Sequence, residues 1–296
     1  MICIKLQGGL GNQLFQYATA RRLAATRHTD LKLDTSWYKT NSDRSYSLDR
    51  LNIIGSLATD QEIHVFRRYQ KRPAHGTISD TLSAIGHNIF IADRTKYWSE
   101  KSLGYDADID CVSDNCYLEG YFQSDKYFDS LRPLLVRELS LRDGSAAYVD
   151  LERRIHETTN PISVHMRRGD YLQTGRYRFS GTGNEVCSLK YYSDAIELIK
   201  QKIGNHVSLF YFSDDPAWVK RLSSKHGGIV VSGSGCKDHE ELFLMSACRH
   251  NIIANSTFSW WGAWLNDHGD KVVVSPRVWF EHHDVPDIIP HSWIPL

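Results

Sequence analysis

The chain lacks any run of 18 consecutive apolar residues, so no transmembrane helix is expected. It also lacks a surplus of either charge, with 35 Lys+Arg against 35 Asp+Glu. Without a global field, bulk charge cannot hold nucleic acid or an anionic membrane, and any anion must be met by a local site. Nucleic acid is therefore not an expected partner. The opening "MICIKLQGGLGNQ" has no charged segment leading into a long apolar stretch, so no signal peptide is expected. The six cysteines (Cys3, Cys111, Cys116, Cys187, Cys236 and Cys248) form no C-x-x-C and no paired metal spacing. Reduced thiols in a cytoplasmic protein are the expectation, with no metal site. His282 and His283 have no ligand-spaced companions and read as a surface pair. Low-complexity tracts and internal repeats are absent as well.

What is present is the composition of an ordinary globular protein, 41% hydrophobic and 24% charged over 296 residues, enough for two compact domains. A short apolar strand, Ile2 to Leu6, meets the glycine-rich turn "GGLGNQ". "LFQYATARRLAA" then carries apolar residues at helical spacing, and "DLKLD" alternates as a strand. Strand, tight loop, helix, strand is the start of an α/β unit. Residues 35 to 115 are aromatic, basic and loop-rich, with a helix expected over Asp60 to Lys71. "CYLEGYFQSDKYF" predicts a strand ending near Glu119, then a helix entered through Ser124 or Asp125. "SAAYVDLERRIHE" predicts a further helix.

From Pro161 the alternation is regular. Strands "ISVHM", "VSLFYFS", "GGIVVS", "NIIAN" and "KVVVS" are separated by helical stretches, one of them opening at Asp214-Asp215-Pro216 and another with Asp238 as a candidate N-cap. This is the pattern of an open, mostly parallel sheet. The pattern places a domain boundary between Leu139 and Pro161, giving domains over 1–150 and 151–296.

In such sheets ligands sit beyond the carboxyl ends of the strands. Four polar clusters fall there: "HMRRGD", "SDD", "NSTFSWW" and, in the first half, "GGLGNQ". Arg167 and Arg168 can present guanidinium forks to phosphate oxygens. Asn255, Ser256 and Thr257 lie where a strand enters a helix, so their polar side chains and the helix's first N–H groups form an anion seat; simple N-capping by Ser256 is the competing reading. Trp260, Trp261 and Trp264 are expected to pack that helix on the sheet. Asp214 and Asp215 point apart and are not the spaced pair of a glycoside hydrolase; one of them could accept from a purine edge while the other caps a helix. "GGLGNQ" lacks the G-x-G-x-x-G spacing and is not a dinucleotide fingerprint, but its glycines allow close backbone approach and expose the amides of Asn12 and Gln13.

Taken together, "GGLGNQLFQYA", "LEGYFQSDKYF", "HMRRGDY", "FSDD" and "NSTFSWWGAWLN" resemble the bacterial alpha-1,2-fucosyltransferases of glycosyltransferase family eleven, in order, from residue 8 to about 266. The resemblance implies an α/β fold of GT-B type, two Rossmann-like domains facing across a cleft, with the C-terminal domain holding GDP-fucose and the N-terminal one on the acceptor side. It implies metal-independent, inverting transfer of L-fucose to the 2-hydroxyl of a terminal galactose in a glycan, with GDP-fucose as co-substrate and no cofactor. Carried onto this sequence, Arg167 holds the diphosphate with Arg168 in support. Ser256 and Thr257, beside Asn255, hold the distal phosphate, Asp214 is a candidate for guanine, and Asn12, next to Gln13, reaches the fucose or acceptor. A general base is expected among Asp170, His165 and Glu119, with Asp170 ranked first because it lies beyond the arginines. An alpha-1,6 fucosyltransferase and a non-catalytic nucleotide-sugar or glycan-binding module are the alternatives; aromatic residues such as Trp37 and Tyr38 would suit sugar stacking. The expected setting is the bacterial cytoplasm, building O-antigen or capsule repeats, and peripheral contact with the inner face of the membrane is compatible with the sequence.

Overall fold

The computed structural model describes residues 1–70, 96–167, 187–280 and 287–296. The chain divides into two compact units, Met1–Asp49 with Ile53–Glu138, and Arg50–Asn52 with Leu139–Leu296.

The first unit is built on a parallel sheet. Its strands are β1 (Ile2–Lys5), β2 (Leu31–Asp34), β3 (Ser56–Leu57), β4 (Tyr97–Ser99) and β5 (Cys116–Glu119), in spatial order β3-β2-β1-β5-β4. Helix α1 (Leu10–Thr26) buries Leu14, Phe15, Tyr17 and Ala18, and α2 (Asp60–Gln70) packs Ile63 and Phe66 with Cys3 and Tyr117. The stretch after Ser124 is not one helix. Ser124 caps a 3-10 turn at Asp125–Tyr127, and only after a second such turn does α3 (Arg132–Glu138) begin.

The second unit opens with α4 (Ala146–His156), followed by β6 (Pro161–Met166), α5 (Leu189–Ile203), β7 (Ser208–Ser213), α6 (Pro216–His226) and β8 (Ile229–Val230). It continues through α7 (Asp238–Ala247), β9 (His250–Ile252), α8 (Thr257–Leu265), β10 (Val273–Ser275) and β11 (Ile294–Pro295). The first compact unit runs to Glu138, and α4 belongs with the second unit. Glu240 of α7 accepts hydrogen bonds from Ser145 N at 2.6 Å and Ser145 Oγ at 3.1 Å. The same carboxylate receives Lys237 N at 2.7 Å, so α7 is capped at Lys237 and not at Asp238. Arg50–Asn52 joins this unit by backbone bonds from Asn52 N to Ser140 O (2.9 Å) and Arg142 N to Arg50 O (3.0 Å).

All strand pairs of the second sheet are parallel, in the order β11-β10-β9-β6-β7-β8. Read from the other edge this is the 3-2-1-4-5-6 order of a doubly wound Rossmann-type sheet, whose order reverses between β6 and β9. The β6–β7 register runs from Pro161↔Ser208 to Met166↔Ser213, and β6–β9 runs to Val164↔Ile252. The β6 segment is buried along its whole length, as expected for a strand covered on both faces. Trp260, Trp261 and Trp264 are buried and pack against one another as core. Asn251 and Asn266 join β9 to the end of α8 through Asn266 Nδ2 to Asn251 Oδ1 at 2.7 Å, and Asn251 Nδ2 also reaches Ser163 Oγ at 2.7 Å. That buried, paired network fixes the axis of α8, and with it the direction in which its N-terminus points. No described helix is long and apolar enough to cross a membrane.

Candidate active site

The reversal of strand order between β6 and β9 opens a crevice at their carboxyl ends, and the second unit's polar clusters emerge there. Arg167 follows β6. Asn255, Ser256 and Thr257 lead from β9 into α8. The ring of His165 lies 5.8 Å from that of Phe258 in the first turn of α8, which ties the two sides of the crevice together.

Ser256 is the N-cap of α8, yet its hydroxyl makes no capping bond. The simple capping reading is therefore not what the structure shows. The first-turn N–H groups of α8 have no intrahelical partners, carry the positive end of the helix dipole, and stand beside the hydroxyls of Ser256 and Thr257. Asn255 serves the turn itself: its Nδ2 donates to Trp279 O at 3.2 Å and its Oδ1 lies 3.7 Å from Cys187 Sγ. Tyr191 braces the segment just before Asn255 by donating to Ile253 O, two residues upstream, at 2.7 Å.

Arg167 Nη1 meets Asp214 Oδ2 at 3.2 Å, with both side chains about 25% exposed. The pairing of Met166 with Ser213 places these residues at neighbouring strand ends. The turn beneath Asp214 is braced from within. Asp215 N donates to Ser213 Oγ at 2.9 Å, Ser213 N donates to Ser232 Oγ at 2.8 Å, and the Ser232 hydroxyl donates to Glu241 Oε2 at 2.9 Å. Burial pushes the Glu241 carboxyl up to about 7, the Ser232 bond opposing and the charge of Asp238 adding to the rise. Nothing in the spacing of "GGIVVS" and "DHEELF" announces this chain, because it closes only when two crossovers have folded.

His165 is buried, and burial, with the nearby charge of Arg167, pushes its imidazole down to about 3. Its Nδ1 has no hydrogen-bond partner among the described residues. Burial and the neighbouring guanidinium thus favour the neutral form of the ring at this edge. Arg168 and Asp170 lie outside the described residues, as do His282 and His283. Among the described residues no three His, Cys, Asp or Glu side chains converge as metal ligands.

In the first unit the structure separates Asn12 from Gln13. Gln13 is buried and holds the neighbouring loop, its Nε2 donating to Gly8 O at 3.1 Å and Ser45 O at 2.9 Å while its Oε1 accepts from Ser47 N at 2.9 Å. Asn12 remains at the surface of the turn, where its Oδ1 accepts from Gln123 Nε2 at 3.0 Å. Gln123 is a site neighbour that the sequence reading missed. Glu119 is tethered: Lys5 Nζ donates to it at 2.6 Å and Tyr97 OH donates to its other oxygen. Burial works against its charge, but these bonds and the charges of Lys5 and Arg67 outweigh it and hold the carboxyl below the usual range.

The sequence matches the family model described as "Glycosyl transferase family 11" over residues 1–294. The chain belongs to glycosyl transferase family 11. This family 11 chain is 33% identical over 310 residues to the O-antigen biosynthesis glycosyltransferase WbnK of Escherichia coli, covering 98% of this chain and 99% of that protein. It is 29% identical over 306 residues to the alpha-1,2-colitosyltransferase of Escherichia coli, covering 99% and 98% respectively. Among solved structures, fucosyltransferase NodZ from Bradyrhizobium shares the fold, with a TM-score of 0.51 at 15% identity over 88% of this chain and 92% of that one. The family 11 chain is thus an α/β glycosyltransferase of GT-B type.

Proposed function

We propose that the enzyme transfers L-fucose from GDP-beta-L-fucose to the 2-hydroxyl of a terminal galactose, with inversion and without a required metal ion: a galactoside 2-alpha-L-fucosyltransferase. The observation that carries this reading is that Arg167, paired with Asp214, follows β6 while an α8 N-terminus without a side-chain cap follows the neighbouring strand β9, at the switch point of the second sheet. As the C1–O bond of the donor breaks, negative charge grows on the GDP leaving group and positive charge on the sugar. Arg167, supported by Arg168, bonds the diphosphate oxygens, and Ser256, Thr257 and the first N–H groups of α8 take the distal phosphate. All of these strengthen as the charge develops, which is where binding accelerates the reaction. Asp214 orients the Arg167 fork, which leaves the nucleobase as its second duty.

The acceptor hydroxyl attacks the face opposite the leaving GDP, and its proton passes to a base. Asp170 is the base in this reading. Its support is by comparison: Glu119 is already bonded on both oxygens, and the basicity of His165 is suppressed by burial.

The colitosyltransferase relative favours a second reading in the same chemistry, a colitosyl donor with the same linkage. The O-antigen relative supports a role in assembling cell-surface glycan repeats. The test is GDP release from GDP-fucose, with and without lactose or N-acetyllactosamine, in EDTA. Acceptor-dependent release with an alpha-1,2 linkage by NMR is the expected result. Release only from a colitosyl donor supports the second reading, and GDP binding without turnover on any acceptor removes both.

A further inference from the structure

The first sheet has a switch point of its own. Its order β3-β2-β1-β5-β4 reverses between β1 and β5, and two loops meet there, Gln7–Gly9 after β1 and Gly120–Gln123 after β5. General experience with open α/β sheets places a ligand at this crevice.

The second loop is braced beyond what a surface turn needs. The half-buried carboxylate of Glu100 accepts Tyr121 N at 2.7 Å and Phe122 N at 3.0 Å. Phe122 is held at φ +54°, a left-handed conformation that is an outlier for a bulky residue, while its side chain is fully buried. Gln16 Nε2 takes the carbonyl of Gly120 at 3.0 Å, and a side chain at Gly120 would collide with Glu100. Strain kept in place by surrounding bonds is characteristic of functional loops.

The bracing presents two groups. Tyr121 is 37% exposed, beside Tyr38, whose hydroxyl donates to Gly8 O at 3.0 Å. Gln123 is only 7% exposed, and its Nε2 donates to Asn12 Oδ1, so the two amides form a pair. Whichever way the two amides are turned, one bond between them leaves one donor face and one acceptor face open. Gly8 completes the floor: at φ +77°, its added Cβ would sit 2.6 Å from Asn12 Nδ2. An exposed aromatic ring beside an open donor and acceptor matches a pyranose ring, which has an apolar C–H face and neighbouring hydroxyls that both give and accept hydrogen bonds.

We propose that this switch point is a pyranose-binding subsite, in which Tyr121 stacks on the sugar ring and the Asn12–Gln123 pair bonds two adjacent hydroxyls. Its occupant is the acceptor's terminal hexose. The set is neutral at the amide pair and aromatic at its wall, whereas the diphosphate chemistry lies in the other unit. The assignment to the acceptor rests on the transferase reading above; the pyranose subsite itself does not.

The experiment is saturation-transfer NMR of methyl β-D-galactopyranoside and lactose with wild type, Tyr121→Ala, Tyr121→Phe and Gln123→Ala, with initial rates on the same proteins. The expected result is saturation of ring protons in wild type and Tyr121→Phe and its loss in Tyr121→Ala. Acceptor KM should rise about tenfold in Tyr121→Ala and Gln123→Ala, with donor KM within about twofold. Equal saturation in wild type and Tyr121→Ala, or no saturation of either sugar by wild type, overturns the subsite. A KM change confined to the donor overturns the acceptor assignment. A wild type that binds the sugars but never releases GDP sinks the transferase reading and leaves the subsite standing.

Discussion

Arg167 and Asp214 end adjacent parallel strands and meet at 3.2 Å, so the one described arginine of the "RRGD" segment has its guanidinium aimed by a carboxylate from the next strand. That carboxylate is in turn held by a turn locked through Ser213, Ser232 and Glu241. The direction of the charge at this edge is set by the sheet rather than by a flexible side chain.

Asp214→Ala therefore frees the fork of Arg167 and raises donor KM by about tenfold, the loss of one charge-assisted bond. Asp214→Asn keeps an oxygen for the guanidinium and should fall between the two. Steady-state kinetics at varied donor concentration read this directly. An unchanged donor KM in Asp214→Ala means the pair does not orient Arg167 for the donor.

Glu241 gives the second unit a pH signature. Its carboxyl is raised in the folded chain to about 7, so between about 4.5 and 7 the native state holds a proton that the unfolded state has lost. Its contribution to stability is complete below about 4.5 and is lost as pH rises to about 7. Glu241→Gln should flatten that part of the curve of melting temperature against pH. Curves of equal slope for the two proteins would contradict the assignment.

His165 acts in the opposite sense. With its imidazole pushed down to about 3 in the folded chain, it is taken up by protons only on unfolding, so stability falls as pH drops from about 6.5 towards 3. A pH–rate profile should accordingly show no limb near 6.5 that His165→Gln removes. The disappearance of such a limb in that variant would make His165 a titrating participant.

Glu119 is predicted to hold structure rather than protons. Glu119→Ala removes its bonds to Lys5 and Tyr97 and should cost about 1–3 kcal/mol of stability by denaturant unfolding. Glu119→Gln should leave the ionisation of the general base visible in the pH–rate profile. Loss of that ionisation would move the base to Glu119.

Gly262 of α8 packs tightly against α7, where an added Cβ would lie 2.9 Å from Met245 Cβ. Gly262→Ala should cost about 1–3 kcal/mol through overpacking, with weaker donor binding because the N-terminus of α8 shifts. A variant as stable as wild type would show that the two helices separate freely.

The alternation of strand and helix after Pro161 was legible because each strand run is short, apolar and closed by turn residues, and β6, β7 and β9 lie where those runs stand. The placement of Arg167, Asp214 and Ser256 after neighbouring parallel strands followed from the same alternation. The cap of α7 was misplaced by one residue because Glu240 reaches back to Lys237 N, a bond that spacing alone does not rank above capping by Asp238. Gln13 and Asn12 looked alike as neighbours in a turn. Only the fold shows that one ties Ser45 and Ser47 while the other pairs with Gln123, 111 positions away. The same distance in sequence hid Tyr121 and Gln123, whose role depends on β1 and β5 lying side by side. The strands β3 and β4 are two and three residues long, too short for any period to declare them.

The central claim is that Arg167 neutralises the leaving group, and acceptor-dependent turnover by Arg167→Ala and Arg167→Lys in EDTA tests it most directly. The account predicts a loss of roughly 10²–10³-fold or more in kcat for Arg167→Ala, with Arg167→Lys recovering only part, because an ammonium cannot match the bidentate fork. Wild-type kcat in Arg167→Ala would contradict it.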